Sequence, residues 1–478
     1  MIRRTRLRPR RAVLACILPL LLGACAVGPD YVRPDLPVPD QFQEGAAIWK
    51  RVGTQDAAVG DEPWWQAWND PHLDELERMA QEANPSIATA EAAWRQAQAA
   101  IGQARAAGRP QVGVGVTQSR TENAVAAQGL DELDDGRIRQ TAQAQVTASW
   151  ELDLWGRVRR TVEAQGAQAR ASEQDLAAQR LSIAATVAST YLSLRQMDAQ
   201  STLLAEQRQA NTALLEMTEA AYRLGTASPN DLVEARNNRD ASAISYDATL
   251  AARAKYLHAL AVLTGHAPSD FTLAPWPDYA FAAPAPPPIV PADLLLRRPD
   301  VSAAEARVES ANASVGVAKA AYFPSLSLSA SGGYVGGSLS DLLDAPVRVW
   351  SGGGQLLGTL FDGGARRSQT AQALAAYDGA VAQYRQAVLS ALQSTEDALS
   401  DYRYQERQML YTAQVLTRRN EVCLRKQQEL VLGTTHRRDV LVETLSCLNA
   451  KQNALDAQAA LAQDAVALFK AVGGGWPQ

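Results

Sequence analysis

Two stretches of the chain, residues 157–224 and 365–432, carry apolar side chains at steps of three, four and seven. In the second, Tyr377, Val381, Tyr384, Val388, Thr395, Leu399, Tyr402, Met409, Leu416, Cys423 and Leu430 mark the seam. In the first, Leu176, Ile183, Val187, Tyr191, Leu194, Met197 and Leu204 do the same. That spacing is the seam of a coiled coil rather than the broad face of a globular helix. Neither stretch contains proline, and both are rich in Ala, Gln, Arg and Leu, which are good helix formers. Each predicts a helix roughly 100 Å long at about 1.5 Å per residue. A compact enzyme has little use for such a rod.

Period-two alternation appears elsewhere. Val112, Val114 and Val116 alternate with glycines, and Ala142, Ala144, Val146, Ala148 and Trp150 alternate with Gln, Thr and Ser. A polar loop over roughly 121–139 separates these two predicted strands. Their length of about ten residues, and Trp150 and Trp155 near one end, fit an outer-membrane hairpin. Taken alone, the segment fits a soluble hairpin equally well. A second pair follows, beginning at Leu326, Leu328 and Ala330 and running through a Gly-rich loop to about Phe361.

The turn signals place further helices around these elements. One helix begins near Leu73, and another begins at Asn84-Pro85, an N-cap followed by proline at the first helical position, and stops at Pro110. The first long helix ends at Gly225-Thr226, and Ser228-Pro229 opens a return helix to Gly265. After Pro299 the order recurs: a helix ending at Phe323-Pro324, two strands, a long helix ending at Gly433-Thr434 and a return helix ending near Gly473. Corresponding points are 214 (Pro85 to Pro299), 209 (Asp153 to Asp362) and 208 (Gly225 to Gly433) residues apart. The chain is therefore a tandem repeat of about 210 residues. Its predicted organisation is a leader (1–24), an irregular strap rich in Pro, Asp and Trp (25–72), a first repeat (73–265), a Pro-rich connector (266–298) and a second repeat (299–478).

Four strands per chain do not close a barrel, and an open sheet edge in lipid leaves backbone groups unpaired at several kcal/mol each. A membrane-spanning sheet would therefore need several copies around an axis. Two copies give eight strands and a filled interior, while three give twelve and a wider lumen. Strand length alone does not choose.

The N-terminus is a targeting segment. Six arginines precede the apolar run Ala12 to Leu22, and Leu22-Gly23-Ala24-Cys25 matches a lipobox, with Cys25 as the residue that takes up lipid. Ala26 stands where inner-membrane retention would favour Asp, which points to the outer membrane. Loss of those six arginines takes the formal charge from −5 to −11, which does not suit a nucleic-acid partner. Past the leader, no run of about 20 apolar residues is present, so a membrane span would have to be β.

Enzyme chemistry finds no foothold. His72, His258, His266 and His436 show no metal-ligand spacing, and neither a nucleophile elbow nor a phosphate loop is present. We therefore expect no catalytic residue, no metal site and no cofactor beyond the lipid on Cys25. The remaining pair, Cys423 and Cys447, lies on both sides of the Gly433 turn at roughly 15 and 20 Å from it. Cys423 is on the seam, whereas Cys447 sits one residue off the Leu441–Leu448–Leu455 series of its helix. The two either pair in an oxidising compartment or stay as buried free thiols.

Several motifs, in order, carry a family resemblance. Cys25-Ala26-Val27-Gly28-Pro29-Asp30-Tyr31, Trp64-Trp65 before Asp70-Pro71, Trp150-Glu151-Leu152-Asp153-Leu154-Trp155-Gly156-Arg157 and Leu360-Phe361-Asp362-Gly363-Gly364 resemble the outer membrane efflux lipoproteins of the TolC-like outer membrane factor family, NodT/OprM branch. The resemblance implies a mainly α fold with a membrane β-barrel. The expected assembly is a homotrimer whose twelve-stranded barrel, four strands per chain, continues into a long periplasmic α-helical barrel. It further implies a lipid-anchored, membrane-spanning channel of the outer membrane that exports drugs or other toxic small molecules. Its partners would be outer-membrane lipid, a periplasmic membrane-fusion adaptor and an inner-membrane pump of the RND type. Type I protein secretion or metal-ion efflux are the alternatives. By the same resemblance, the turns at Gly225, Thr226 and Ser228 and at Gly433 and Thr434 are tips that meet the adaptor. Asp231 and Asp439 then narrow the periplasmic aperture, unless they serve only as helix caps. Leu430 and Thr435 replace a Tyr and an Arg that lock the tip in the best-known member, with Arg437 or Arg438 as substitutes.

Overall fold

A computed structural model of the chain describes residues 26–36, 39, 42–44, 63–122, 138–284, 298–344 and 347–474. The leader, Cys25 and most of the Pro-rich stretch after 284 lie outside the described residues. After a 3-10 turn at Trp64–Trp68, the elements run α1 (Pro71–Ala83), α2 (Pro85–Ala106), β1 (Gln111–Glu122), β2 (Ile138–Leu152), α3 (Arg157–Arg223) and α4 (Pro229–Leu263). The second half runs α5 (Pro299–Ala320), β3 (Ser325–Gly336), a helical turn α6 (Asp341–Asp344), β4 (Val347–Leu357), α7 (Ala365–Val431) and α8 (Arg437–Ala471). The long helices α3 and α7 have 67 residues each, and the return helices α4 and α8 have 35 each.

Three boundaries differ from the sequence reading. The first helix opens at Pro71 rather than Leu73, because the Asp70 carboxylate accepts from the His72 and Leu73 amides and Pro71 needs no acceptor at the first position. Helix α5 stops at Ala320, ahead of Phe323-Pro324, since the residues before a proline are pushed out of helical geometry. Strand β4 ends at Leu357, opposite Ser325 where β3 begins, so Gly358 to Phe361 have no partner strand to extend it.

The chain forms two compact units. Of the described residues, one holds those within 26–34, 94–172 and 304–384 and contains the sheet, in the order β1-β2-β3-β4, antiparallel throughout. The other holds the described residues within 35–93, 173–303 and 385–474 and contains the main apolar core. There Trp64 stacks on Phe469, and Leu73, Val187, Tyr191, Leu194 and Leu260 are fully buried. Along α7 the seam is buried at Tyr384, Val388, Leu399 and Tyr402, whereas Leu430 near the turn is 37% exposed. Residues 266–284, a connector by their proline content, instead pack on the core through Phe271, Tyr279 and Phe281.

Two ionic features sit inside this unit. Asp198 and Arg195 on α3 are fully buried side by side (2.9 Å), and Arg253 of α4 also donates to Asp198. Glu77 of α1 is completely buried, and burial, with Asp74 nearby, pushes its carboxyl up to about 9. It is therefore a neutral acid at pH 7.

Candidate functional site

The tips are built from helix-ending chemistry. Gly225 and Gly433 adopt φ of 73° and 75°, which glycine reaches without the penalty of a Cβ. The amides of Gly225 and Thr226 donate to Tyr222 and Ala221, and those of Gly433 and Thr434 donate to Leu430 and Glu429. Each threonine hydroxyl then adds a second bond to the same carbonyl, Ala221 (3.0 Å) or Glu429 (3.1 Å). The Gly-Thr pair thus satisfies carbonyls that a helix end leaves unpartnered.

The return helices start differently. Ser228 and Asp231 form a reciprocal capping box, Ser228 N–H donating to Asp231 Oδ2 (2.8 Å) and Asp231 N–H to Ser228 Oγ (3.1 Å). At the other tip His436 occupies the cap position without a side-chain bond, and Thr435 Oγ1 donates to Asp439 Oδ2 (3.3 Å). Asp231 is held below the usual carboxylate range by the Ser228 backbone and hydroxyl donors, with a smaller contribution from Arg438 of the second tip. Capping by Asp231 is thus a fact of the fold, and Arg438, one of the two arginines singled out in the sequence, sends its field to the first tip.

Cys423 and Cys447 are bonded, with Cα atoms 6.7 Å apart. The off-seam position of Cys447 leaves the pair within bridging reach.

Glycines of nearly equal φ separate into two kinds. A Cβ on Gly225 or Gly433 meets nothing within 4 Å, whereas one on Gly265 (φ 76°) would lie 2.5 Å from the Ala83 carbonyl oxygen. We expect Gly225→Ala and Gly433→Ala to cost about 1–2 kcal/mol of backbone strain. Gly265→Ala adds a backbone collision and should cost about 3 kcal/mol or more. Melting midpoints of the three variants check this; equal midpoints would contradict it.

The sheet shows a sharp division of faces. Its register aligns Val112, Val114 and Val116 with Ala148, Val146 and Ala144, then with Ala330, Gly332 and Tyr334, and Gly332 in turn with Trp350. On the opposite face stand Gln143, Gln145, Thr147 and Ser149 beside Ser327, Ser329, Ser331 and Ser351. Val114 is 81% and Trp350 79% exposed, so the apolar row is uncovered in the single chain. Strands of 12, 15, 12 and 11 residues are long enough to cross a bilayer when tilted. Strands β1 and β4 each keep one edge unpaired in the sheet. Among the described residues, no helix is long and apolar enough to cross a membrane.

One anchoring point escaped the sequence reading. Two residues after Cys25, Val27 N–H donates to the Trp155 carbonyl, and the buried Arg160 of α3 donates to the carbonyls of Val27 and Gly28 and to Asp30 (2.8 Å). Gly28 lies so close to Gly316 of α5 that a Cβ would stand 2.5 Å from its Cα. Tyr31 and Arg33 continue the docking onto Glu305. The Val27-Gly28-Pro29-Asp30-Tyr31 motif is a strap whose carbonyls are held by Arg160 and, at Pro29, by the Asn312 side chain (3.1 Å).

The outer membrane efflux protein profile matches residues 76–266 and 290–474. The chain belongs to the outer membrane efflux protein family. It is 30% identical to the outer membrane protein OprJ of Pseudomonas aeruginosa over 98% of this chain and 97% of that protein. It is 28% identical to the probable efflux pump outer membrane protein TtgC of Pseudomonas putida, covering 95% and 94%. Among solved structures, the outer-membrane channel OprN superposes with a TM-score of 0.82 at 28% identity, over 95% of this chain and all of that one. The fold is that of the TolC-like outer membrane channels, and the protein is an outer-membrane efflux component.

Proposed function

We propose that three copies of this chain close a twelve-stranded barrel, β4 of one copy pairing with β1 of the next. The observation that carries this reading is the four-stranded sheet, apolar on one face and polar on the other, with both edges free. Closure pairs every edge group, puts the Ser, Thr and Gln face toward a wet lumen and sets the valines against lipid. Relatives are named as toluene and antibiotic efflux pump outer membrane proteins, which favours small organic compounds as the cargo here. An adaptor and an inner-membrane pump of the RND type would deliver that cargo, with Gly225, Thr226, Ser228, Gly433 and Thr434 at the adaptor contact. Lipid on Cys25 would add a second anchor beside the strap.

Asp231 and Asp439 would line the periplasmic aperture, and Arg438 would balance Asp231 in the closed tip. Removing both carboxylates weakens a cation-attracting constriction. Single-channel recording in planar bilayers tests the assignment: Asp231→Ala with Asp439→Ala should raise conductance and lower cation preference. Unchanged conductance and selectivity would leave the two residues as helix caps alone.

A further inference from the structure

The disulfide lies at only one of the two tips. Shifted by the repeat offset of 208, Cys423, Cys447 and Glu443 correspond to Leu215, Arg239 and Ala235, so the first hairpin has no counterpart. At the second tip, Glu443 sits one turn before Cys447 on α8, facing Cys423 on α7. The two Sγ atoms and a Glu443 carboxylate oxygen all lie within 4.8 Å of one another. In the disulfide the two Sγ atoms are covalently joined; reduction frees them to separate toward the spacing of about 4 Å between ligands of a tetrahedral zinc-type ion, given metal–sulfur bonds of about 2.3 Å.

We propose that Cys423, Cys447 and Glu443 form a binding site for a thiophilic divalent cation, occupied when the cysteines are reduced. Binding converts two thiols to thiolates and releases two protons, M²⁺ + 2 RSH giving M(SR)₂ + 2 H⁺, with no electron transferred. Closing the disulfide instead removes two electrons and two protons to an oxidant of the thiol-disulfide exchange class. The two outcomes compete for the same sulfur atoms, and either one ties α7 to α8 below the tip.

The surroundings suit such an ion. Cys447 is buried and Cys423 half-buried, which leaves one side open to solvent for entry and for a fourth, water ligand. Two thiolates and a carboxylate exceed the charge of a divalent ion by one. Arg419, 3.3 Å from Glu443, offsets that excess, and Glu443 also acts on Lys426. The Glu443–Arg419 pair fixes the carboxylate on the face that carries the sulfurs. This inference stands apart from the export reading, because it needs only the α7–α8 hairpin.

Full-length protein in detergent, reduced anaerobically with a phosphine and desalted, should be titrated with Cd²⁺ while its thiolate-to-metal charge-transfer absorbance is followed. We expect one Cd²⁺ per chain, none in the oxidised protein and none in Cys423→Ser. Glu443→Gln should weaken binding by about tenfold or more. Circular dichroism establishes that each variant keeps its helices. Equal uptake by reduced wild type and Cys423→Ser, or no uptake by the reduced protein, would overturn the site.

Discussion

Replacing Asp198 with alanine is expected to destabilise the protein by about 3–5 kcal/mol, the usual cost of stranding a buried charge. Asp198 is fully buried and faces two arginines at once. It also accepts from the Trp276 amide (3.0 Å). Those arginines in turn donate to the carbonyls of Ala274 and Leu273, and Arg195 lies over the rings of Tyr191 and Trp276. One carboxylate thus fixes α3, α4 and residues 273–276. Without it, Arg195 stays buried with no counter-charge and the 266–284 segment loses its hold. Urea or thermal unfolding of extracted protein reads the effect. Adding Arg195→Met to Asp198→Ala should recover part of the loss, since an apolar replacement of a buried pair is often neutral. A loss below about 1 kcal/mol for Asp198→Ala would show the network to be dispensable.

Gly333→Ala should abolish assembly into the outer membrane, whereas Gly332→Ala should be silent. A Cβ on Gly333 would collide with the Ala144 carbonyl oxygen and stand 2.6 Å from the Gln145 Cα, both backbone atoms of the paired strand β2. Neither has room to move without opening the β2–β3 ladder, a cost of about 3 kcal/mol or more. Gly332 is one residue away, on the opposite face, with nothing within 4 Å. The ratio of heat-modifiable to unfolded band in membrane fractions distinguishes them. Equal assembly of the two variants would contradict the close β2–β3 approach.

These two sites show what the sequence discloses and what it withholds. Periodicity exposes the long helices and the strands, because a seam at steps of three and four and an alternation of Val with Gly each permit one backbone geometry. Capping chemistry is local too, so the Ser228–Asp231 box is readable at three residues' distance. Arg195 and Asp198 are not, since charges inside an apolar seam look like an exposed helix face until α4 and residues 273–276 supply their partners. Arg160 reads as one more basic residue in Arg157-Val158-Arg159-Arg160, and only the fold brings Val27, Gly28 and Asp30 to it. The prolines suggest a connector over 266–298, while Phe271, Tyr279 and Phe281 make the first part of it core. Glu443 had no signal at all: its pairing with the cysteines arises from one helical turn on α8 and the level at which α7 passes it.

In the proposed assembly one chain supplies a third of a barrel. Multi-angle light scattering of the protein extracted in mild detergent, with the detergent mass subtracted, counts chains per particle directly. Three chains is the predicted result, and a particle of one or two would contradict the account.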